Sequence, residues 1–223
     1  MCNRTCIEFA QRVINREDIQ GKSVLEVGSL DINGSLRPIV EIYHPYSYIG
    51  IDIINGHGVD VICDSNQICA YFGQETFDCI IATELIEHVR DWKDTISNFK
   101  NALKSNGIIL ITTRSKGFHF HGYPYDYWRY EVKDMRAIFS DFHILALETD
   151  KLSPGVLLKA RKPVEFVEFN TNDYQLYSII KNKRISKITD FDIGLSKIQQ
   201  RIKGILLKIL PQIFIQVIRK LKF

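Results

Sequence analysis

The sequence predicts an α/β fold built on a parallel sheet, and three observations carry that expectation. Apolar, strand-like runs alternate with helical-period segments from residue 23 to residue 112, the pattern of βα units joined by right-handed crossovers. The first run, Val24-Leu25, ends on Glu26 and Gly28, which is how a buried strand hands over to a tight turn. Three strands in a row end on or beside an acid, at Glu26, Asp52 and Asp64. In open parallel sheets ligands bind at the carboxyl ends of the strands.

A chain of 223 residues, 45% hydrophobic and 25% charged, fits one soluble domain with an appendage and can bury a full core. Charge is unevenly spread. Residues 195–223 hold seven Lys and Arg and no acid, so the net +3 of the chain leaves −4 on residues 1–194. An acidic body argues against a large nucleic-acid face. The five cysteines, Cys2, Cys6, Cys63, Cys69 and Cys79, are odd in number and form no CxxC pair. That argues against a zinc site or disulfide framework and suits a reducing cytosol; no metal is expected. The first residues hold no apolar signal-peptide core and no run reaches 18 apolar residues, so neither export nor a spanning helix is expected. The expected location is cytoplasmic, with peripheral contact at the inner face of the membrane through the basic tail.

Each element follows from its residues. Ile7, Val13, Ile14 and Ile19 among charges predict a short amphipathic helix within 4–20. Strand one spans 23–28, and a short helix follows in 35–44, with Pro38 near its start. Strand two is Tyr48 to Asp52 and strand three Val59 to Cys63. Strand four is Phe77 to Ala82. Leu85, Val89, Trp92, Ile96, Phe99 and Leu103 then recur at helical spacing up to a glycine cap at Ser105-Asn106-Gly107. Strand five is Ile108 to Thr112, a helix covers 132–139, and strands six and seven cover 142–149 and 155–160. Arg161-Lys162-Pro163 closes the domain, 1–163; a connecting segment, 164–194, leads to a basic amphipathic helical tail, 195–223, interrupted by Pro211.

The glycine turn fits two ligand classes. A dinucleotide wants G-x-G-x-x-G and a helix N-terminus for its pyrophosphate, but this loop breaks that spacing and places Glu26 and Asp31 where they repel phosphate. A cationic adenosine-type ligand is attracted by the same acids, and S-adenosylmethionine is one. Asp52, 24 residues after Gly28, offers two oxygens at the separation of a ribose diol; a helix cap or a solvated strand end explains it equally. Asp64 suits an adenine amino group or an N-cap.

VLEVGSLDINGSLR, YIGIDI, CDS, FDCIIATELIEHV and ALKSNGIILITT together resemble the ordered motifs of the class I S-adenosylmethionine-dependent methyltransferases, of the methyltransferase type 11-like kind, over roughly 20–160. The resemblance implies a Rossmann-like, seven-stranded, mostly parallel sheet with helices on both faces and an antiparallel last strand. It implies S-adenosyl-L-methionine as cofactor. By position, Glu26 would face the methionine amine or adjacent backbone, Gly28 and Gly34 would line the methionine and ribose side, and Ser29 is a further cofactor-binding candidate. Asp52 with Ile53 would hold the ribose, Asp64 and Ser65 would flank adenine, and Thr83 would contact the methionine end. Leu30 stands where the family has its second glycine.

After strand five comes RSKGFHFHGYPYDYWRY, 114–130, which resembles the H-G-Y-P-x-D-Y-W-R loop of a subset of these enzymes. It reads as an aromatic substrate lid, or else as a packed plug with an internal Asp126–Arg129 salt bridge. Aligning two bound reactants supplies on the order of 7–11 kcal/mol, so methyl transfer needs no obligatory side chain. If the acceptor is a hydroxyl, His121, His119 and His88 are the candidate bases, in that order. Neither a D/N-P-P-Y motif nor a Pro-Cys nucleophile is present, so amino-group methylation of adenine and cytosine C5 chemistry are disfavoured. The expected function is methyl transfer at oxygen to a small-molecule, sugar or lipid-linked acceptor. A catalytically inactive cofactor-binding module of the same fold is the alternative, and a nicotinamide oxidoreductase is the weakest. The tail, with its basic apolar pattern, is expected to contact a membrane surface or to associate with itself; packing on the domain is the plainer reading.

Overall fold

The computed structural model describes residues 4–122 and 126–209. Seven strands form the main sheet: β1 (Ser23–Val27), β2 (Ser47–Asp52), β3 (Val61–Ile62), β4 (Phe77–Thr83), β5 (Leu103–Arg114), β7 (His143–Thr149) and β8 (Gly155–Arg161). Their order is β3-β2-β1-β4-β5-β8-β7. The first five pair in parallel, and β8 runs antiparallel between β5 and β7. The seven-stranded, mostly parallel sheet expected from the sequence is present. The strand order reverses at β1 and β4, and that switch point opens the crevice in which open α/β sheets bind ligands.

The alternation of side chains along each strand builds two cores. Leu25, Val27, Ile80, Ala82, Ile109 and Ile111 face one side. There they meet α4 (Ile68–Phe72), α5 (Trp92–Ala102) and α6 (Val132–Ile138). Val24, Cys79, Ile81, Ile108 and Leu110 face the other side, with α1 (Arg4–Val13), α2 (Arg16–Ile19) and α3 (Arg37–Glu41). A strand buried on both faces reads as a continuous apolar run, which is why β4 and β5 stand out in the sequence.

Three elements depart from expectation. The N-terminal helix is two, because the Asn15 and Asp18 side chains form a capping box that starts α2. The helix after β4 is a single 3-10 turn, Ile86–His88, followed by α5 from Trp92. Helical periodicity alone does not see that Glu84 adopts a left-handed backbone, φ 51°, or that the Arg90 carbonyl accepts the Trp128 indole N–H at 3.0 Å. Finally, Ser105-Asn106-Gly107 does not cap α5. The helix ends at Ala102, and Leu103, fully buried, pairs with Phe77. The turn through Asn106, φ 62°, is a bulge before the next pair, Cys79 and Ile108.

A second sheet joins β6 (Trp128–Arg129), β9 (Leu176–Ser178) and β10 (Lys183–Ile185) in antiparallel order β10-β9-β6. Through it the 164–194 segment packs on the main domain, with Leu176 and Ile188 buried in the larger core. The C-terminal helix, α7, spans Asp190–Ile209; Pro211 and the rest of the expected tail lie outside the described residues. Phe191, Leu195, Ile198 and Ile202 are exposed along α7, at spacings that place them on one helix face.

Trp128, Arg129 and Tyr130 are among the most deeply buried large side chains. Arg129 forks onto Asp126 at 2.6 and 2.9 Å. Arg129→Met, by leaving the Asp126 carboxylate buried and unpaired, is expected to cost about 3–5 kcal/mol. Urea unfolding followed by tryptophan fluorescence checks this, and Asp126→Asn combined with Arg129→Met should recover part of the loss.

Candidate functional site

A cleft of about 470 Å³ lies at the carboxyl ends of β1, β2 and β4, within the roughly 300–1,000 Å³ usual for small-molecule sites. Its floor is the turn after β1. Gly28 holds φ 76°, and a side chain there would press on Leu85 at 3.0 Å. The amides of Gly28 and Ser29 both donate to the Ile51 carbonyl, at 2.9 and 3.0 Å, which ties the turn to β2. Behind it, Gly50 lets Ser29 and the 58–60 loop close on the strand: a Cβ at Gly50 would stand 2.7 Å from Ser29 Oγ. Leu30 stands where the resemblance would put a glycine. Its side chain lies over Gly56, in the space a Cβ there would need.

Of the residues expected at a cofactor, Gly28, Asp52, Ile53, Asp64 and Ser65 line the cleft. Asp52 accepts the amides of Leu30 at 3.3 Å and Ile54 at 3.1 Å. A carboxylate has about four acceptor positions, so two remain. Asp64 caps the turn that follows it, accepting the Asn66 amide at 2.9 Å, and Ser65 is bonded to Thr95 at 3.2 Å.

Four other expected residues stand back from the cleft. Glu26 points to the opposite face of β1 and accepts the Tyr48 hydroxyl at 2.8 Å. Burial pushes its carboxyl up to about 6, against the pull of Tyr48 and Arg37. Ser29 is buried beneath Gly50, and the Gly34 amide is turned inward to Asp31 at 2.8 Å. Thr83 is buried at the end of β4, paired with Thr112. Strand polarity predicted which strand ends meet; it did not predict the face of Glu26, which depends on alternation within β1.

His88 lines the cleft. His121 joins it from the loop after β5, with ring centroids 4.7 Å apart. His119 is exposed and stacked on Phe118 at 4.6 Å. The aromatic 114–130 stretch divides into two parts. Gly122 and Tyr127 reach the cleft, but Tyr127 through Tyr130 are buried and act as the packed plug. Tyr123, Pro124 and Tyr125 lie outside the described residues.

Sequence reading passed over two acids in this wall. Glu84, in its left-handed conformation, lines the cleft and ion-pairs with Arg114. Burial and neighbouring Glu87 push its carboxyl well above the ordinary range, with Arg114 opposing. Glu87 is fully buried. The signal was the run Glu84-x-x-Glu87-His88, two acids and an imidazole within five residues of a strand's end.

Residues 3–148 match the family model described as a methyltransferase domain. No curated protein matches the chain. Among solved structures, an S-adenosylmethionine-dependent methyltransferase from Mesorhizobium loti aligns at TM-score 0.53 and 14% identity, over 70% of this chain and 97% of that one. A second from Methanosarcina mazei aligns at 0.53 and 13%, over 67% and 96%. The Burkholderia thailandensis 1,6-didemethyltoxoflavin-N1-methyltransferase, with S-adenosylhomocysteine bound, aligns at 0.54 and 12%, over 70% and 78%. At these identities the likeness is one of fold.

Glu26 gives a pH-dependent expectation. Its folded value, about 6, lies above the ordinary 4.5. The stabilisation from its protonated form is therefore complete below pH 4.5 and lost as pH rises through 6, a difference on the order of 2 kcal/mol. Glu26→Gln should raise the melting temperature at pH 7.5 and leave it nearly unchanged at pH 4, as read by calorimetry.

Proposed function

Because this chain belongs to the methyltransferase-domain family, we propose that it transfers a methyl group from S-adenosyl-L-methionine to a hydroxyl of a small-molecule, sugar or lipid-linked acceptor. The observation that carries this reading is the acid-lined cleft at the switch point, with Gly28 as its floor and Asp52, Asp64 and Glu84 on its walls. The residues fit the cofactor: the glycine floor admits close approach, and the carboxylates favour a cation over a phosphate. Bound there, the cofactor supplies a methyl carbon activated by its sulfonium.

The chain's own groups do the rest. Asp52, with two acceptor positions left, takes the ribose hydroxyls, and Asp64 and Ser65 border the adenine. Ile51, Ile53 and Leu30 form apolar walls. Transfer to oxygen requires the hydroxyl to be polarised or deprotonated. His88, which borders the cleft, and His121 beside it would serve that role, with exposed His119 the third candidate. An acceptor carried on a lipid is supported by the exposed apolar face of α7 and by the basic residues that follow it. Among the described residues no helix is long and apolar enough to cross a membrane.

Calorimetric titration with S-adenosylhomocysteine tests the cofactor reading. Micromolar binding is expected in the wild type. It should weaken by at least roughly tenfold in Asp52→Ala, the loss of about 1.4 kcal/mol of hydrogen bonding, and should vanish in Gly28→Val. Tight binding with no turnover across a panel of hydroxyl acceptors would favour the inactive-module alternative. No binding by the wild type would overturn both.

A further inference from the structure

Four acidic side chains and two guanidiniums are buried together beyond β4 and β5. Arg114 pairs with Glu84 and lies 3.5 Å from Asp150. Arg129 is committed to Asp126. Glu87 remains. One of its oxygens accepts the Thr113 hydroxyl at 2.9 Å. The other, Oε1, makes no hydrogen bond although the side chain is fully buried. Among the described residues, the basic groups facing Oε1 within ion-pair distance are the Nε2 atoms of His88 and His121, each at 3.9 Å.

His121 is held for a particular purpose. Its Nδ1 is 3.1 Å from Asp126 Oδ2, and its amide donates to the same oxygen at 2.8 Å. An ionised carboxylate only accepts, so Nδ1 carries a hydrogen, which leaves Nε2 as the ring nitrogen facing Glu87. A lone pair facing a buried carboxylate oxygen is repulsive unless a positive charge lies between them. A carboxylate that fixes an imidazole through its far nitrogen is the usual support behind a metal-binding histidine.

We propose that Glu87, His88 and His121 bind one divalent cation of the first transition row, Zn²⁺ or Mn²⁺. Two imidazoles and one carboxylate suit such an ion. The three donor atoms lie within 4.8 Å of one another. Donors about 2.1 Å from an ion stand roughly 3.4 Å apart in a tetrahedron, so a small inward shift closes the set. Three protein ligands would leave a coordination position open, and one of the three, His88, borders the cleft. The ligands come from the turn after β4 and the loop after β5; no metal-ligand spacing in the sequence announces them. Use of the open position by an acceptor oxygen rests on the methyltransferase reading; binding of the ion does not.

The test uses the untagged full-length chain, stripped with chelator and titrated calorimetrically with zinc chloride and with manganese chloride, no cofactor being present. One ion per chain is expected for at least one of the two metals. Affinity should fall roughly 100-fold or more in Glu87→Gln and in His121→Ala, since losing even an outer-shell partner costs about 10- to 100-fold. Imidazole ¹⁵N spectra of the wild type provide a readout that needs no variant: the ion should shift Nε2 of His88 and of His121 and leave the Nδ1–H of His121 in place. Failure of the wild type to bind either ion saturably, or unchanged affinity in either variant, overturns the site. So does a His121 ring protonated on both nitrogens at pH 7 and indifferent to the metals, which would make a proton the counter-charge. S-adenosylhomocysteine titrated in parallel keeps the two readings apart: metal binding without cofactor binding supports this site while overturning the function proposed above.

Discussion

The cleft depends on neutralising acids that the sheet has removed from water. Glu84, Glu87, Asp126 and Asp150 cluster behind its wall, and a buried carboxylate without a partner is among the costliest groups a fold can hold. Arg114 and Arg129 answer three of the four. Their placement dictates much else. Arg114 stays in register at the end of β5, paired with Gly155 of β8. Arg129 lies in β6, opposite Tyr177 of β9, and the amide of the next residue, Tyr130, donates to the Arg114 carbonyl of β5 at 2.9 Å. Burial alone would raise the Asp126 carboxyl; bonds from Arg129 and His121 outweigh it and hold it below the ordinary range. One ion pair therefore orders both the plug and the ring of His121.

The other side of the cleft is governed by close packing. Ser29, Gly50 and Gly58 leave no room for added atoms where the β1 turn meets β2. The turn is thus closely packed, and the Leu30 side chain takes the space left at Gly56. The residue that makes room for Leu30 lies 26 positions away, on a neighbouring loop, where the motif read as a string does not show it.

The chemistry and the scaffold are drawn from different scales of the sequence. Strands β4 and β5 are local: their apolar runs need no knowledge of neighbours, because burial on both faces demands it. The 3-10 turn after β4 is not local. The same residues carry a helical pattern, and the left-handed Glu84 and the Trp128 bond to Arg90 override it.

Hydrophobic period and turn chemistry suffice to give the α/β class, the order of the strands along the chain and the acids at their carboxyl ends. The sequence also marked His88 and His121 as chemical groups. It took the folded chain to turn Glu26 away from the cleft, to bring Glu84 to its lining with Glu87 buried behind, and to make the aromatic stretch mostly plug. The folded chain alone brought His121 within 3.9 Å of Glu87, across 34 residues of chain. The reason is physical: a residue's period states whether it is buried, but its partners are chosen by strand register and by the balance of charge in the interior.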